Sequence, residues 1–195
     1  MRRPGFAGCL FLAVAITLPA SCSRGPSIDW STKENFFAVE KSTETDDGAI
    51  LEFQSLVDAP PDEVYRALAD VEHYATFVDG VSASELVSAS DNTKVIRITQ
   101  TVIGRQGRAE VKWTLQPADR RIAFETLRSD QNYNDGTFQV FASPDGKRSY
   151  VISVYHVMQK GAPQNVPLGV LKSATRESFE RAAHSVKRRA LGQTQ

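Results

Sequence analysis

The segment Val57–Tyr74, with the sequence VDAPPDEVYRALADVEHY, decides the fold of this chain. Its two prolines end a strand and open a helix, because proline lacks an amide hydrogen and its fixed backbone angle suits a first helical turn. Asp62 and Glu63 follow, at positions where acidic side chains complement the helix dipole. Apolar side chains then recur at helical spacing, at Val64, Leu68 and Val71. The segment therefore predicts a strand, a short helix and, over His73–Val78, a second short helix.

Upstream of this segment the sequence predicts two strands joined by a hairpin. Ile50–Val57 is the strand that ends at the prolines, and Asn35–Ser42 carries apolar side chains at Phe36, Phe37 and Val39. Between them, Thr45-Asp46-Asp47-Gly48 contains the Asp-Gly pair that is typical of a tight hairpin turn. The two short helices are therefore preceded by an antiparallel hairpin.

Downstream, the sequence predicts six more strands separated by polar turns: Ala83–Ser88, Lys94–Ile103, Arg108–Gln116, Ile122–Arg128, Gly136–Ala142 and Ser149–Gln159. The connections are short and rich in turn-forming residues, with a longer polar loop at Ser129–Asp135. A parallel pair would need a crossover of about a dozen residues or more. Neighbouring strands are therefore expected to pair antiparallel.

A long helix is predicted near the C-terminal end, over Leu168–Ala190, after Pro163 and Pro167. One narrow face of this helix is apolar or small: Leu168, Leu171, Thr175, Phe179, Ala182 and Val186. Charged side chains occupy the rest, so this face is expected to lie against the sheet. The predicted fold class is α+β, with a curved antiparallel sheet of about seven strands wrapped around the helix. A cavity between sheet and helix would suit an apolar molecule.

The first residues predict export into a bacterial periplasm. Arg2 and Arg3 precede an apolar run, Phe6–Leu18, which is too short to span a bilayer comfortably. The residues up to Cys22 resemble a lipobox, in which the cysteine is lipidated, although Pro19 stands where leucine is usual. We expect a lipoprotein anchored to a membrane through Cys22. Ordinary cleavage nearby, with an unmodified thiol, is the alternative.

Cleavage at this point divides the chain into four parts. Residues 1–22 form the signal peptide, 23–33 a tether, 34–191 one domain and 192–195 a tail. Cys9 would be removed with the signal. No cysteine pair then remains for an intramolecular disulfide.

Charge and motifs argue against several classes of protein. Removing Arg2 and Arg3 from 23 basic side chains leaves 21 against 23 acidic ones, a net charge of −2. A negative net charge does not attract nucleic acid. The three histidines, at positions 73, 156 and 184, lack the short spacing of a metal pair. No nucleophile elbow, phosphate loop or dinucleotide fingerprint occurs in the sequence. We predict no metal site, no cofactor and no set of catalytic residues.

The Val57–Tyr74 segment is similar to the opening signature of the START-like, or SRPBCC, superfamily. In that signature a strand ends in Ala-Pro-Pro and a helix carries Asp-x-Glu-x-Tyr, here Asp70–Tyr74. The similarity continues at Phe77, Gly80-Val81, Arg121-Ile122-Ala123-Phe124 and Gly136-Thr137-Phe138. It covers about residues 49–190 and is greatest toward the polyketide cyclase/dehydrase and coenzyme Q-binding branch.

This resemblance implies the helix-grip fold, with an apolar cavity that opens near the short helices and the strand-to-strand loops. Members bind lipids, isoprenoid quinones, sterols or polyketides, and a minority catalyse cyclisation or dehydration. The side chains expected to bind a ligand here are Val95, Ile98, Val111, Trp113, Leu115, Phe124, Phe138, Tyr155, Leu171 and Phe179. We expect a monomer.

Three functions remain open at this point. A membrane-tethered carrier of an apolar molecule comes first, because the signal places the cavity beside a membrane. A cyclase or dehydrase acting on an aromatic or polyketide substrate in the same cavity is the second. A protein-interaction domain whose cavity has collapsed is the third. A lipid that copurifies with the protein would favour the carrier. Turnover of that lipid would favour the enzyme, and an empty domain would favour the interaction domain.

Overall fold

Eight strands and three helices follow one another along the part of the chain that is described, residues 26–102, 104–159 and 166–193 of a computed structural model. The strands are β1 (Asn35–Thr45), β2 (Gly48–Val57), β3 (Val81–Ser90), β4 (Thr93–Val102), β5 (Arg105–Gln116), β6 (Arg121–Ser129), β7 (Tyr133–Ala142) and β8 (Ser149–Met158). The helices are α1 (Pro61–Ala69), α2 (Tyr74–Phe77) and α3 (Leu168–Ala190), and short 3-10 turns lie at Val71–His73 and Pro117–Asp119.

The strands form one antiparallel sheet in the order β1-β2-β8-β7-β6-β5-β4-β3. Hairpins between consecutive strands produce most of this order. The pairing of β2 with β8, from Gly48 opposite Met158 to Val57 opposite Ser149, joins the first hairpin to the last strand. This arrangement confirms the predicted antiparallel sheet. The sheet has eight strands rather than about seven because β1 pairs with β2 at one edge.

The two short helices lie directly after β2, as predicted. Helix α1 begins at Pro61, buries Val64 and Leu68, and packs against α3. The hydroxyl of Tyr74, the first residue of α2, donates a 2.6 Å hydrogen bond to the Leu68 carbonyl oxygen. This bond ties the second short helix to the first.

Helix α3 lies across the sheet with its apolar face in the core. Leu171, Phe179 and Val186, all predicted for this face, are buried. The ring of Phe179 stacks on Phe53 of β2, with ring centroids 4.5 Å apart. These contacts confirm the predicted helix-grip fold, in which the curved sheet holds the C-terminal helix.

Several strands extend further than the sequence pattern predicts, and the starts of β7 and β5 are two examples. β7 begins at Tyr133 rather than Gly136, because its first three residues pair with Met158, Val157 and His156 of β8. The predicted loop at Ser129–Asp135 is therefore reduced to residues 130–132. β5 likewise begins at Arg105, which pairs with Val102. The residues of both extensions are mostly polar, so the apolar pattern of the sequence does not include them. They form strand because strand pairing depends on neighbouring strands as much as on residue type.

The segment before β1 packs against the start of β8. One guanidinium nitrogen of Arg148, Nη1, donates to the carbonyl oxygens of Trp30 at 2.6 Å and Thr32 at 2.9 Å. The ring of Trp30 also meets the edge of Tyr150. Cys22 and the predicted signal peptide lie outside the described residues. Within the described ranges, no helix is long and apolar enough to cross a membrane.

Candidate functional site

A cavity lies between the inner face of the sheet, the two short helices and α3. Its volume is about 210 Å³. Its inner part is lined by buried apolar side chains from nine different elements, including Val57, Leu68, Val111, Val151 and Val186. The cavity is therefore the product of the whole fold rather than of one local motif.

Strand alternation decides which side chains line the cavity. On β5, Ala109, Val111 and Trp113 face it, while the residues between them face away. On β8, the corresponding lining residues are Val151, Ser153 and Tyr155. On these two strands, alternate side chains therefore face the cavity.

Aromatic rings dominate the inner wall. Trp113 stacks on Phe138 at a centroid distance of 6.3 Å and meets Tyr74 edge-on at 5.8 Å. Phe124 lies 5.5 Å from Tyr155 by the same measure. Gly136 makes this packing possible, because a Cβ atom there would come within 2.8 Å of the Phe124 ring. Such a wall favours flat, apolar ligands.

The structure brings seven of the ten predicted ligand-binding residues into the cavity wall: Ile98, Val111, Trp113, Phe124, Phe138, Tyr155 and Phe179. Their contact with a ligand stays a prediction. Val95, Leu115 and Leu171 do not line the cavity.

Each of these three side chains is placed elsewhere for a physical reason. Val95 lies on the opposite side of β4 from the buried Ile96 and Ile98, because strand side chains alternate. Leu115 is half-buried against the main core beyond the cavity. Leu171 packs in a second apolar cluster with Leu51, Phe53, Val157 and others, near the first turn of α3.

Several lining residues were not predicted as ligand-binding. They are buried or half-buried residues of β2, the short helices and the turn after them, β8 and α3: Ser55, Val57, Val64, Leu68, Tyr74, Val78, Val151, Ser153, Ala182 and Val186. The helical spacing of Val64 and Leu68 indicates one inward face of α1, and this signal in the sequence could have identified both as lining residues. The β8 members carry no such signal, because that strand is apolar on both faces.

One end of the cavity is polar and forms its mouth. The lining there consists of residues around the β4–β5 and β6–β7 turns, the start of β3 and the middle of α3: Asp79, Gly80, Gln100, Thr101, Arg108, Ser129, Gln131, Asn132, Asn134, Ser178 and Arg181. Several of these, including Asp79 and Arg108, are exposed. A ligand would enter here and leave its most polar part at this end.

Two buried polar atoms in lining residues have no hydrogen-bond partner within the described ranges. They are the indole nitrogen of Trp113 and the hydroxyl oxygen of Ser153. The neighbouring Ser55 differs, since its hydroxyl donates to the Phe36 carbonyl oxygen at 2.8 Å. A buried polar group without a hydrogen-bond partner lowers the stability of the fold. The inner wall therefore contains two polar atoms whose hydrogen-bonding capacity is unused.

The titratable side chains of the lining are Tyr74, Tyr155, Asp79, Arg108 and Arg181. Burial raises the pKa of Tyr155 above its ordinary value of 10.0. Burial also raises the pKa of Tyr74, with smaller contributions from Tyr155 and Asp70. Both phenols are therefore protonated at neutral pH, which makes them poor bases. The geometry supports holding a molecule more directly than moving its protons.

All three histidines lie outside this lining. His156 is on the outer side of β8, where its ring nitrogens lie 2.9 Å from Asp47 and 3.2 Å from Asp135. Among the described residues, no group of three His, Cys, Asp or Glu side chains is arranged to hold a metal ion.

Solved structures with the same fold come from several bacteria. The Zhui aromatase/cyclase from Streptomyces sp. R1128 is 20% identical, with a TM-score of 0.65 over 73% of this chain and 93% of that one. A START superfamily protein from Mycobacterium smegmatis is 14% identical, with a TM-score of 0.64 over 73% and 97% of the two chains. A STAR-related lipid transfer protein from Xanthomonas axonopodis is 16% identical, with a TM-score of 0.56 over 78% and 98%. At these identities the likeness is one of fold.

No curated protein matches the sequence significantly. A family model does match, over residues 49–191, and its description is polyketide cyclase / dehydrase and lipid transport. The match covers nearly the whole folded region, from β2 to the end of α3. This chain belongs to the polyketide cyclase/dehydrase and lipid transport family.

Proposed function

We propose that this protein binds and carries an apolar small molecule, such as a lipid, an isoprenoid quinone or a polyketide-like compound. The observation that carries the proposal is the cavity itself, which has aromatic and aliphatic walls and a polar mouth. Burial of apolar surface supplies ~25 cal/mol per Å² of binding free energy, and a few polar contacts at the mouth would set the orientation.

The size of the cavity supports a ligand of modest volume. A cavity of about 150 Å³ in another protein is large enough to bind benzene. The 210 Å³ found here therefore suits one or two rings or a short chain, and a longer molecule would extend through the mouth. An open cavity also argues against the alternative of a collapsed interaction domain.

A neutral fluorescent probe tests this proposal. N-phenyl-1-naphthylamine should bind the soluble domain, residues 24–195, saturably and with a stoichiometry near one. Val111→Trp would fill the cavity and should reduce binding more than it reduces stability, although overpacking commonly costs ~1–3 kcal/mol. Val87→Trp is the matched control, because Val87 lies exposed on the edge strand β3.

Equal loss of binding in both tryptophan variants, or no saturable binding by the parent domain, would contradict the carrier proposal. Quinones and short-chain lipids should compete with the probe if they share the cavity.

Catalysis is the second candidate, because the family description names cyclases and dehydrases beside lipid transport. The buried tyrosines of the wall have raised pKa values, which weakens the case for proton transfer at neutral pH. Incubation with aromatic and polyketide-like compounds, followed by mass spectrometry, distinguishes the two. A product of lower mass by one water would indicate dehydration and support the enzyme.

We further propose that the protein is exported and anchored to a membrane through a lipidated Cys22. The support is the charged and apolar order of the first residues and the position of this cysteine. Metabolic labelling with a clickable fatty acid should mark the wild type and the Cys9→Ala control, and Cys22→Ala should abolish the label. Persistent labelling of Cys22→Ala would exclude this anchor.

A further inference from the structure

The cations of α3 fall into two groups. Five of its six lysines and arginines pair within 4 Å with a carboxylate outside the helix: Lys172 with Glu44, Arg176 with Glu40, Lys187 with Glu34, Arg188 with Asp79 and Arg189 with Asp70. Arg181 is the sixth. It has no carboxylate within that distance among the described residues.

Arg181 is also the only one of the six that lines the cavity. Its side chain is half-buried, and its hydrogen bond is a long one, 3.3 Å from Nη2 to the Ser178 hydroxyl. It lies across from Gly80, since a Cβ atom at Gly80 would be 3.8 Å from the Arg181 Nε atom. The guanidinium therefore sits at the mouth, between α3 and the start of β3.

The mouth that Arg181 lines is polar but carries little negative charge. Gln100, Thr101, Gln131 and Asn134 supply neutral amides and a hydroxyl, and Arg108 adds a second, exposed cation. Asp79 is the acidic residue of the mouth, and its carboxylate lies 2.9 Å from Arg188. On the outer side, Glu177, Glu180 and His184 border the same arginine.

We propose that Arg181 binds the anionic head group of an amphipathic ligand whose apolar body fills the cavity. The proposal rests on the carrier function and adds the chemical class of the ligand. An arginine presents several donors in a planar fork that matches carboxylate, phosphate or sulfonate oxygens. Partial burial at the mouth strengthens this interaction relative to an arginine in open water.

Two probes that differ by one charged group test this assignment. N-phenyl-1-naphthylamine is neutral, and 8-anilinonaphthalene-1-sulfonate has the same rings with a permanent negative charge. The wild-type domain should bind the sulfonate more tightly than the neutral probe. Arg181→Gln should weaken sulfonate binding by about tenfold, as expected for a lost charge-assisted hydrogen bond, and change neutral-probe binding by less than about twofold.

Arg176→Gln is the matched control, because Arg176 lies on the same helix, pairs with Glu40 and does not line the cavity. It should leave the affinity of both probes unchanged. Glu177→Gln should slightly strengthen sulfonate binding, since it removes one negative charge that borders Arg181 on the outer side. Added salt should weaken the binding of the sulfonate more than that of the neutral probe.

The outcomes separate the two proposals. If the neutral probe binds but Arg181→Gln affects both probes alike, the head-group assignment is wrong and the carrier proposal stands. If Arg176→Gln weakens the sulfonate as much as Arg181→Gln does, the anion is held by the general charge of the helix and the assignment fails. If neither probe binds, both proposals are overturned.

Discussion

At the scale of single residues, the buried serines show how much a hydrogen-bond partner matters. Ser149 on β8 is fully buried, and its hydroxyl donates to the Ala59 carbonyl oxygen at 2.7 Å. Ser153, four residues further along the same strand, is equally buried and has no partner within the described ranges. The same side chain therefore stabilises the fold at one position and costs free energy at the other.

We expect Ser153→Ala to leave the free energy of unfolding unchanged or to raise it by up to about 1 kcal/mol, because it removes an unsatisfied buried hydroxyl. Ser149→Ala should lower it by about 1–3 kcal/mol, since the Ala59 oxygen loses its donor. Denaturant unfolding of both variants measures the difference. Equal destabilisation would show that Ser153 is satisfied in solution.

The raised pKa values of Tyr74 and Tyr155 predict how stability depends on alkaline pH. Below the ordinary pKa of 10.0, both states of the protein keep these protons and stability is unaffected. Above it, the unfolded chain releases the protons and the folded chain does not, so the free energy of unfolding falls as pH rises. Tyr155→Phe should reduce this slope. A slope that is the same in the variant would mean that Tyr155 ionises freely when folded.

At the scale of elements, α3 is held by an apolar face and by a border of ion pairs. The ion pairs are partly exposed, and such pairs usually contribute about 0–1 kcal/mol each. The apolar face contributes more. The Phe179 ring contacts three others, stacking on Phe53 and meeting Phe37 and Tyr155 edge-on.

Phe179→Ala should therefore lower the free energy of unfolding by ~3–5 kcal/mol, a typical cost for removing a buried ring. Val170→Ala, on the exposed side of the same helix, is the control and should change it little. Thermal melting is a sufficient measurement. A melting temperature for Phe179→Ala within a degree or two of the wild type would show that this face is not packed in solution.

At the scale of the whole molecule, the N-terminal segment and the mouth lie at opposite ends of the sheet. Arg148 and Tyr150, which hold Trp30, stand at the start of β8. The β6–β7 turn, which borders the mouth, lies near the end of that strand because Tyr133 pairs with Met158. The described part of the chain therefore enters the domain at the end of β8 opposite the β6–β7 turn.

Arg148→Ala should release the segment around Trp30 and Thr32 while keeping the rest of the domain folded. Faster amide hydrogen exchange in residues 26–34, with little change in the core strands, is the expected result. Arg120→Ala is the control, since Arg120 pairs with Asp62 and does not touch this segment. Unchanged exchange in Arg148→Ala would show that the segment is held by other contacts.

The sequence by itself determined the order of the elements. Turn residues at Asp46-Asp47-Gly48 and links too short for a crossover require antiparallel neighbours, because local backbone geometry allows no other connection. On β5, Val111 and Trp113 alternate with Glu110 and Lys112 and lie in the cavity wall, whereas Leu115, in the same alternation, lies outside it. These features depend on neighbouring residues along the chain, and a single sequence is enough to read them.

Only the tertiary structure decided the contents of the cavity wall. β8 is apolar on both faces, so its own pattern could not show that Ser153 and Tyr155 face inward and Val154 does not. Leu171 packs in a second cluster with residues of β2 and β8, and ion pairing between distant residues leaves Arg181 without a carboxylate partner within 4 Å among the described residues. Such features depend on contacts between residues far apart in the chain, and no local pattern encodes which partners will meet.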